Sequence, residues 1–487
     1  MNWRAITHLT AREMRRALAT GELSSKDAID AHICAVETRD PSVNAVCTRA
    51  FQRARTEADA ADRARLRGEA TGSLHGLPVL IKDNQLTAGI TTTLGSPTRR
   101  DFVPDADAGI VARIRAAGGI VLGKTNIPEF SIGANTVNPL FGATGNPFAP
   151  DLTCGGSSGG SAVAVACEMA PLATGSDHGG SLRIPASYCG VVGFRATPGV
   201  VPNEERAITQ TNYSVQGPIA RNVADAALLL SVIAERSART RRDPMAFPLD
   251  AARFAALHDI DPATLRVAVS EDLGGVLVSE GNRKQFRDKL KTIASAFAMC
   301  EATSLDISAA PDVDWHLRQD VFVTQYIDQA DTWPEDFNPN VTATYDSALA
   351  TPMRDIAAAR RLQKELYQRT NALFDSFDLL IVPGVSVPPF PHSQLYPTVI
   401  DGRPVENYMG WLALTSSLTV VGHPVVSLPC GLDEQGTPFG IQIVGPAFGD
   451  ARLLEAARAV ERLLGQNEQT ARPVPPLAAL EAGPGPA

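Results

Sequence analysis

Three sets of residues in this 487-residue chain have the types and spacing that chemistry needs. Gly118-Gly119-Ile120-Val121-Leu122-Gly123-Lys124-Thr125 satisfies the phosphate-loop pattern G-x-x-x-x-G-K-[ST] letter for letter. Its middle is Ile-Val-Leu, which belongs in a buried strand, and Pro128 interrupts the helix that should follow. Nucleotide binding is therefore not expected there. Gly155-Gly156-Ser157-Ser158-Gly159 matches the nucleophile elbow G-x-S-x-G, with an Ala- and Val-rich helix expected after it. An α/β-hydrolase-type serine esterase would pair Ser157 with a downstream acid and with His423, but residues 146–154, with two prolines, read as loop where that motif needs a strand.

The third set is Lys82, Ser157 and Ser181. Lys82 is one of only seven lysines and directly ends the apolar run Val79-Leu80-Ile81. In an open α/β sheet, functional groups gather beyond the carboxyl ends of strands. Burial at such a place disfavours the ammonium and leaves an amine that accepts protons. The positive end of a helix starting after Gly159-Gly160 acts in the same sense. Ser157 and Ser181 lie in similar Gly-rich turns 24 residues apart, each before an expected helix. A Ser–Ser–Lys relay would let neutral Lys82 draw a proton through one hydroxyl from the other. The N–H groups of His178, Gly179, Gly180 and Ser181 would make an oxyanion nest. Gly- and Ser-rich turns also serve tight packing alone, so at this level the relay, the elbow and a purely structural role all stay open.

The elements that would hold these residues are those of an α/β protein. Short apolar runs at 79–81, 120–122, 378–382 and 424–428 read as buried strands. Between them lie helical patterns: Leu9, Met14 and Leu18 on one face, Ser24 and Asp27 as an N-cap before Ala28, Ile29, Ile33 and Val36, then 50–67, 105–117 and 451–464. Glycine is dense over 155–199, ten of 45 residues against 39 of 487 overall, and most of the chemistry is expected there. The expected organisation is an N-terminal helical region over 1–70, a core over 71–235, a helical insertion or lid over 236–375 bearing Trp315, Tyr326, Trp333 and Tyr345, a second part of the core over 376–470, and a flexible tail over 471–487.

Composition narrows the function classes. Hydrophobic residues are 44% and charged ones 20%, as in globular proteins. The net charge of −9 with no long basic run argues against nucleic-acid binding. No apolar stretch is long enough to span a membrane, and the first residues lack a secretory pattern. Seven cysteines without a close CxxC pair suggest neither a disulfide framework nor a structural zinc site, so a cytoplasmic protein is expected.

Taken together, the motifs resemble the amidase signature family. Gly155-Gly156-Ser157-Ser158-Gly159-Gly160-Ser161 followed by Gly175-Ser176-Asp177-His178-Gly179-Gly180-Ser181-Leu182-Arg183-Ile184-Pro185-Ala186 looks like its signature, and His75-Gly76-Leu77-Pro78-Val79-Leu80-Ile81-Lys82-Asp83 like its lysine motif. Residues 123–130, 422–431 and 440–446 are also family-like; the match runs from about 10 to 465 and is weakest across 236–375. The resemblance implies a large mixed, twisted β-sheet covered by helices on both faces. It makes Ser181 the nucleophile, Ser157 a bridging serine after a cis Gly156–Ser157 bond, and Lys82 the general base. Backbone at 178–181 would hold the oxyanion, Ser131, Ser157 and His178 would meet substrate, and Gly156, Ser158, Asp177 and Arg183 would shape the site. Cys154 and His178 depart from the usual family residues; Cys154 reads as packing, and the His178 side chain is free to line the pocket.

The implied activity is hydrolysis of a small-molecule amide through an acyl-enzyme, without metal or cofactor. An aryl or hydrophobic amide is favoured, since no cationic pair for a substrate carboxylate stands out; esters or carbamates would follow the same route. One alternative is the amidase component of a glutamyl-tRNA amidotransferase complex, although such proteins typically carry Gln after the signature arginine, where this chain has Ile184. A homodimer is left open.

Overall fold

A computed structural model of the chain describes residues 2–69, 71–327 and 338–483. Eleven strands form one mixed sheet: β1 (Val46–Arg49), β2 (Pro78–Lys82), β3 (Ile120–Thr125), β4 (Leu172–Asp177), β5 (Val192–Arg195), β6 (Val215–Ala220), β7 (Arg266–Val269), β8 (Met299–Ala302), β9 (Leu379–Pro383), β10 (Val425–Leu432) and β11 (Pro438–Val444). Their spatial order is β1-β3-β2-β4-β6-β5-β10-β11-β9-β7-β8. The β3-β2-β4 and β9-β7-β8 groups run parallel, and the strands between and at the β1 edge pair antiparallel.

Strand side chains alternate between faces, so one short run feeds two cores. Val79 and Ile81 of β2 join a cluster with the helices Ala11–Thr20, Gly109–Ala116, Val223–Ile233 and Asp450–Leu464. Leu80 joins the opposite cluster, with the helices Ser25–Arg39, Phe51–Leu66 and Gly159–Ala166. The same alternation puts Lys82 on the Leu80 face, at the end of β2, beside the start of Gly159–Ala166. Both faces being covered is why the parallel strands are continuous apolar runs.

Two expectations about organisation change. Residues 236–375 do not form only an appended lid: β7 and β8 extend the main sheet, with Val267 paired to Leu379 and to Cys300. The apolar run Arg266–Val269 is short and isolated among polar helices, which hides it in the sequence. The tail expected to be free is docked as far as residue 483. The helix Leu477–Ala482 buries Leu480 in the second core, and Glu481 lies 3.1 Å from Arg39 and 2.6 Å from Arg4. Among the described residues, no helix is long and apolar enough to cross a membrane.

Candidate active site

At the end of β2 the Lys82 side chain is 0% exposed and its Nζ is ringed by hydroxyls: Ser157 Oγ at 2.7 Å, Ser158 Oγ at 2.9 Å and Ser176 Oγ at 2.9 Å. Burial pushes its pKa down to about 7, against the opposing pull of the Asp177 charge. A neutral amine so placed accepts a hydrogen bond from one hydroxyl and donates to the other two oxygens, so the three contacts fill the hydrogen-bonding capacity of the unprotonated nitrogen. Ser176, to which the sequence motifs assign no role, is held by a hydrogen bond from Asn84 Nδ2 at 3.0 Å. The parallel pairing of Leu80 with Ala173 already brings the end of β4 beside Lys82.

The two serine turns are tied together. The Gly156–Ser157 peptide bond is cis, and Ser158 N donates to the Ser181 carbonyl at 3.2 Å. Gly159 and Gly160 open the helix after Ser158 because neighbouring chain crowds them; a Cβ on Gly160 would lie 2.4 Å from Asn126 N. Ser157 and Ser181 line one cavity of about 250 Å³, together with Ser176, His178 and Ser131. Ser131 enters through two successive left-handed residues, Phe130 at φ 53° and Ser131 at φ 63°, and its buried Oγ has no hydrogen-bond partner among the described residues.

The turn before Ser181 is organised by a fully buried carboxylate. Asp177 accepts from Arg183 Nε at 2.9 Å and Nη2 at 3.0 Å, from Arg195 Nη1 at 3.1 Å and from Leu182 N at 3.2 Å. Burial alone would raise its pKa; the Arg183 and Arg195 guanidiniums overcome that and hold it well below the carboxylate range. Asp177 also takes the Gly180 N–H at 2.9 Å. This corrects the expected set of four oxyanion donors, because Gly180 is already committed. The N–H groups of His178, Gly179 and Ser181 donate to no protein acceptor among the described residues. Gly180, at φ 129°, sits where a Cβ would come 2.4 Å from Thr415 Oγ1, so the turn requires glycine.

The His178 ring lines the cavity, stacked on Tyr213 at 4.5 Å, with Nδ1 3.0 Å from Ser214 Oγ. Burial, reinforced by Arg318 and Arg195, keeps its pKa well below the usual value, so the ring is neutral. Of the aromatic residues that the expected lid bears, Tyr326 lines the cavity and Trp315 stands behind Tyr408 at 6.5 Å. Tyr345 packs in an apolar cluster with Phe322 and Tyr326, and Trp333 lies outside the described residues. Two cations that no sequence motif singles out, Arg206 and Arg318, also line the cavity.

The competing chemistries lose their geometry. His423 is buried with its imidazole 5.4 Å from the rings of both Tyr367 and Phe374, and its Nδ1–H donates to Val421 O at 3.0 Å. It does not line the cavity that holds Ser157, which removes the elbow-type pairing. Lys124 lies within β3, its Nζ buried against Thr87 Oγ1 at 2.8 Å and Thr92 Oγ1 at 3.2 Å, so the phosphate-loop letters belong to a strand. Cys154 is buried, with its thiol pushed up to about 12 by burial, and has no nucleophilic character.

Comparison with known proteins agrees with this architecture. The amidase family model matches residues 27–454. One chain of a glutamyl-tRNA(Gln) amidotransferase from Synechococcus sp. is 33% identical over 96% of this chain and 99% of its own. An acylamidase of Rhodococcus erythropolis is 32% identical over 93% of this chain and 95% of its own. The crystal structure of a bacterial aryl acylamidase of the amidase signature family superposes with a TM-score of 0.86, at 27% identity and 98% coverage of both chains. With its sheet, its paired serine turns and its strand-end lysine in one cavity, the chain belongs to the amidase signature family of amide-bond hydrolases.

Proposed function

We propose that this protein hydrolyses the C–N bond of a small amide by acyl transfer to Ser181, with Ser157 as the bridging hydroxyl and Lys82 as the base. The observation that carries the reading is the fully buried Lys82 Nζ 2.7 Å from Ser157 Oγ. Neutral Lys82 takes the Ser157 proton as Ser157 takes that of Ser181, and the Ser181 oxygen attacks the amide carbon. Negative charge collects on the carbonyl oxygen and is met by the N–H groups of His178, Gly179 and Ser181. The relay returns its proton to the leaving nitrogen, the C–N bond breaks, and water enters along the same path to release the acid and restore Ser181. These steps call on neither metal nor organic cofactor.

The substrate class we favour is an aryl or otherwise apolar amide, with esters and carbamates as further acyl donors. Phe130, Ile132, Ile184, Phe322 and Met409 supply an apolar wall to the cavity, and two of the similar proteins are an acylamidase and an aryl acylamidase. Action as an isolated chain is part of this reading, with Ile184 an apolar wall residue; a component of a glutamyl-tRNA amidotransferase complex is the competing one, since such chains are among the relatives.

The test uses purified protein, a panel of anilides, simple amides, esters and carbamates, and a fluorophosphonate probe. Wild type alone should release amine and take the label, and Ser181→Ala should do neither. Labelling that persists in Ser181→Ala would move the nucleophile elsewhere.

A further inference from the structure

We propose that Arg318 recognises a second carbonyl oxygen on the substrate, so that the preferred amides carry a neutral carbonyl a few bonds from the scissile one. This rests on the amidase reading above and narrows its substrate class.

Arg318 lies in the helix Ala310–Tyr326, is 3% exposed and lines the cavity beside Ser181. Two of its nitrogens are committed: Nε donates to Asp314 Oδ2 at 3.3 Å and Nη1 to the Tyr408 hydroxyl at 2.8 Å. Nη2 donates to no acceptor among the described residues, yet it stands against the turn that ends in the nucleophile. A Cβ built on Gly179 would lie 3.4 Å from it. A guanidinium donor in a buried site is costly to leave unmade, and a bound acceptor completes it.

The other cavity-lining charges are already occupied. Arg206 donates to Asp243 at 3.1 Å, while Glu205 accepts from Gly109 N at 3.2 Å and faces Arg239 at 3.5 Å. Asp314, 1% exposed, supplies the negative charge that Arg318 needs. What the pair lacks is therefore an oxygen acceptor and not a second anion, since a carboxylate beside Asp314 would add like charge in a poorly solvated place. A carbonyl oxygen fits that requirement, and its place near Gly179 puts it close to the reacting carbonyl.

The experiment compares kcat/KM within two isosteric pairs. The first is the p-nitroanilides of 4-oxopentanoic and 4-methylpentanoic acids; the second places the oxygen on the amine side, in N-(2-oxopropyl) and N-(2-methylpropyl) pentanamide. The ketone should win by about tenfold to a hundredfold in at least one pair. Arg318→Met should bring that ratio to about one, and Arg318→Lys should keep part of it because one donor is retained. A merely structural arginine would change turnover of both members together and leave the ratio intact. A wild-type ratio near one in both pairs, a ratio that survives Arg318→Met, or a succinyl p-nitroanilide that outranks the ketone would overturn the proposal. In those cases, turnover of the methyl isosteres by wild type but not by Ser181→Ala leaves the amidase reading standing. No turnover of any of the four amides would overturn that reading and this inference together.

Discussion

At the position of Lys82, a single buried nitrogen gathers three hydroxyl groups. Lys82, Ser157 and Ser181 are legible as a set because each sits at a chain position where a strand or a glycine-rich turn ends. Ser176 and Arg318 are not, for different reasons. Ser176 needs the parallel register of β2 and β4 before it comes near Lys82, and Arg318 reaches the cavity from a helix more than a hundred residues downstream. The G-x-S-x-G letters likewise carry no information about His423, which folding buries between two aromatic rings. His423→Ala should therefore keep amide turnover within an order of magnitude while lowering stability by about 1–3 kcal/mol. Loss of catalysis in a variant that remains folded by circular dichroism would restore the elbow chemistry.

Among the elements, the turn from β4 into the helix Arg183–Cys189 does the positioning. Its Gly-Gly-Ser sequence announces a nest of N–H groups, but not that one is spent on the side chain three residues before it; Gly180 N to Asp177 is a contact only the folded turn reveals. Asp177 neutralises part of the charge of two buried arginines and orders the loop that presents Ser181. Asp177→Asn keeps the shape and leaves both guanidiniums without a counter-ion, so it should destabilise the protein by about 3–5 kcal/mol. It should also depress turnover through the misplaced turn. Thermal unfolding followed with an activity assay checks both; an unshifted midpoint would show that the cluster is solvated or otherwise compensated.

Over the whole molecule, the alternation of apolar runs with helices makes the α/β class readable: the runs at 79–81 and 120–122 fall within β2 and β3, and those at 378–382 and 424–428 overlap β9 and β10, each starting one residue early. The strands β7 and β8 escape because four-residue strands flanked by charged helices carry little periodic signal. The C-terminal segment misleads through its composition: Pro- and Ala-rich chain looks unstructured until Leu480 finds a core and Glu481 finds Arg39. Leu480→Ala should cost about 2–3 kcal/mol by opening a cavity in that core. Because Leu480 does not line the catalytic cavity, kcat/KM should hold at temperatures well below the transition. A wild-type melting curve for this variant would mean the tail does not dock in solution.

The proposed catalysis depends on Lys82 being an unprotonated amine near neutral pH, and the pH dependence of kcat/KM for an amide tests that most directly, because it reports the free enzyme's essential base. The folded-state pKa of about 7 lies below the usual lysine value of 10.5. The active, neutral form is therefore lost as pH falls through about 7 and is fully present above it. Wild type should show kcat/KM rising with unit slope up to about pH 7 and level beyond, and Lys82→Met should lose about a hundredfold or more with no such step. A midpoint near 10.5, or a profile equally stepped in Lys82→Met, would contradict the relay.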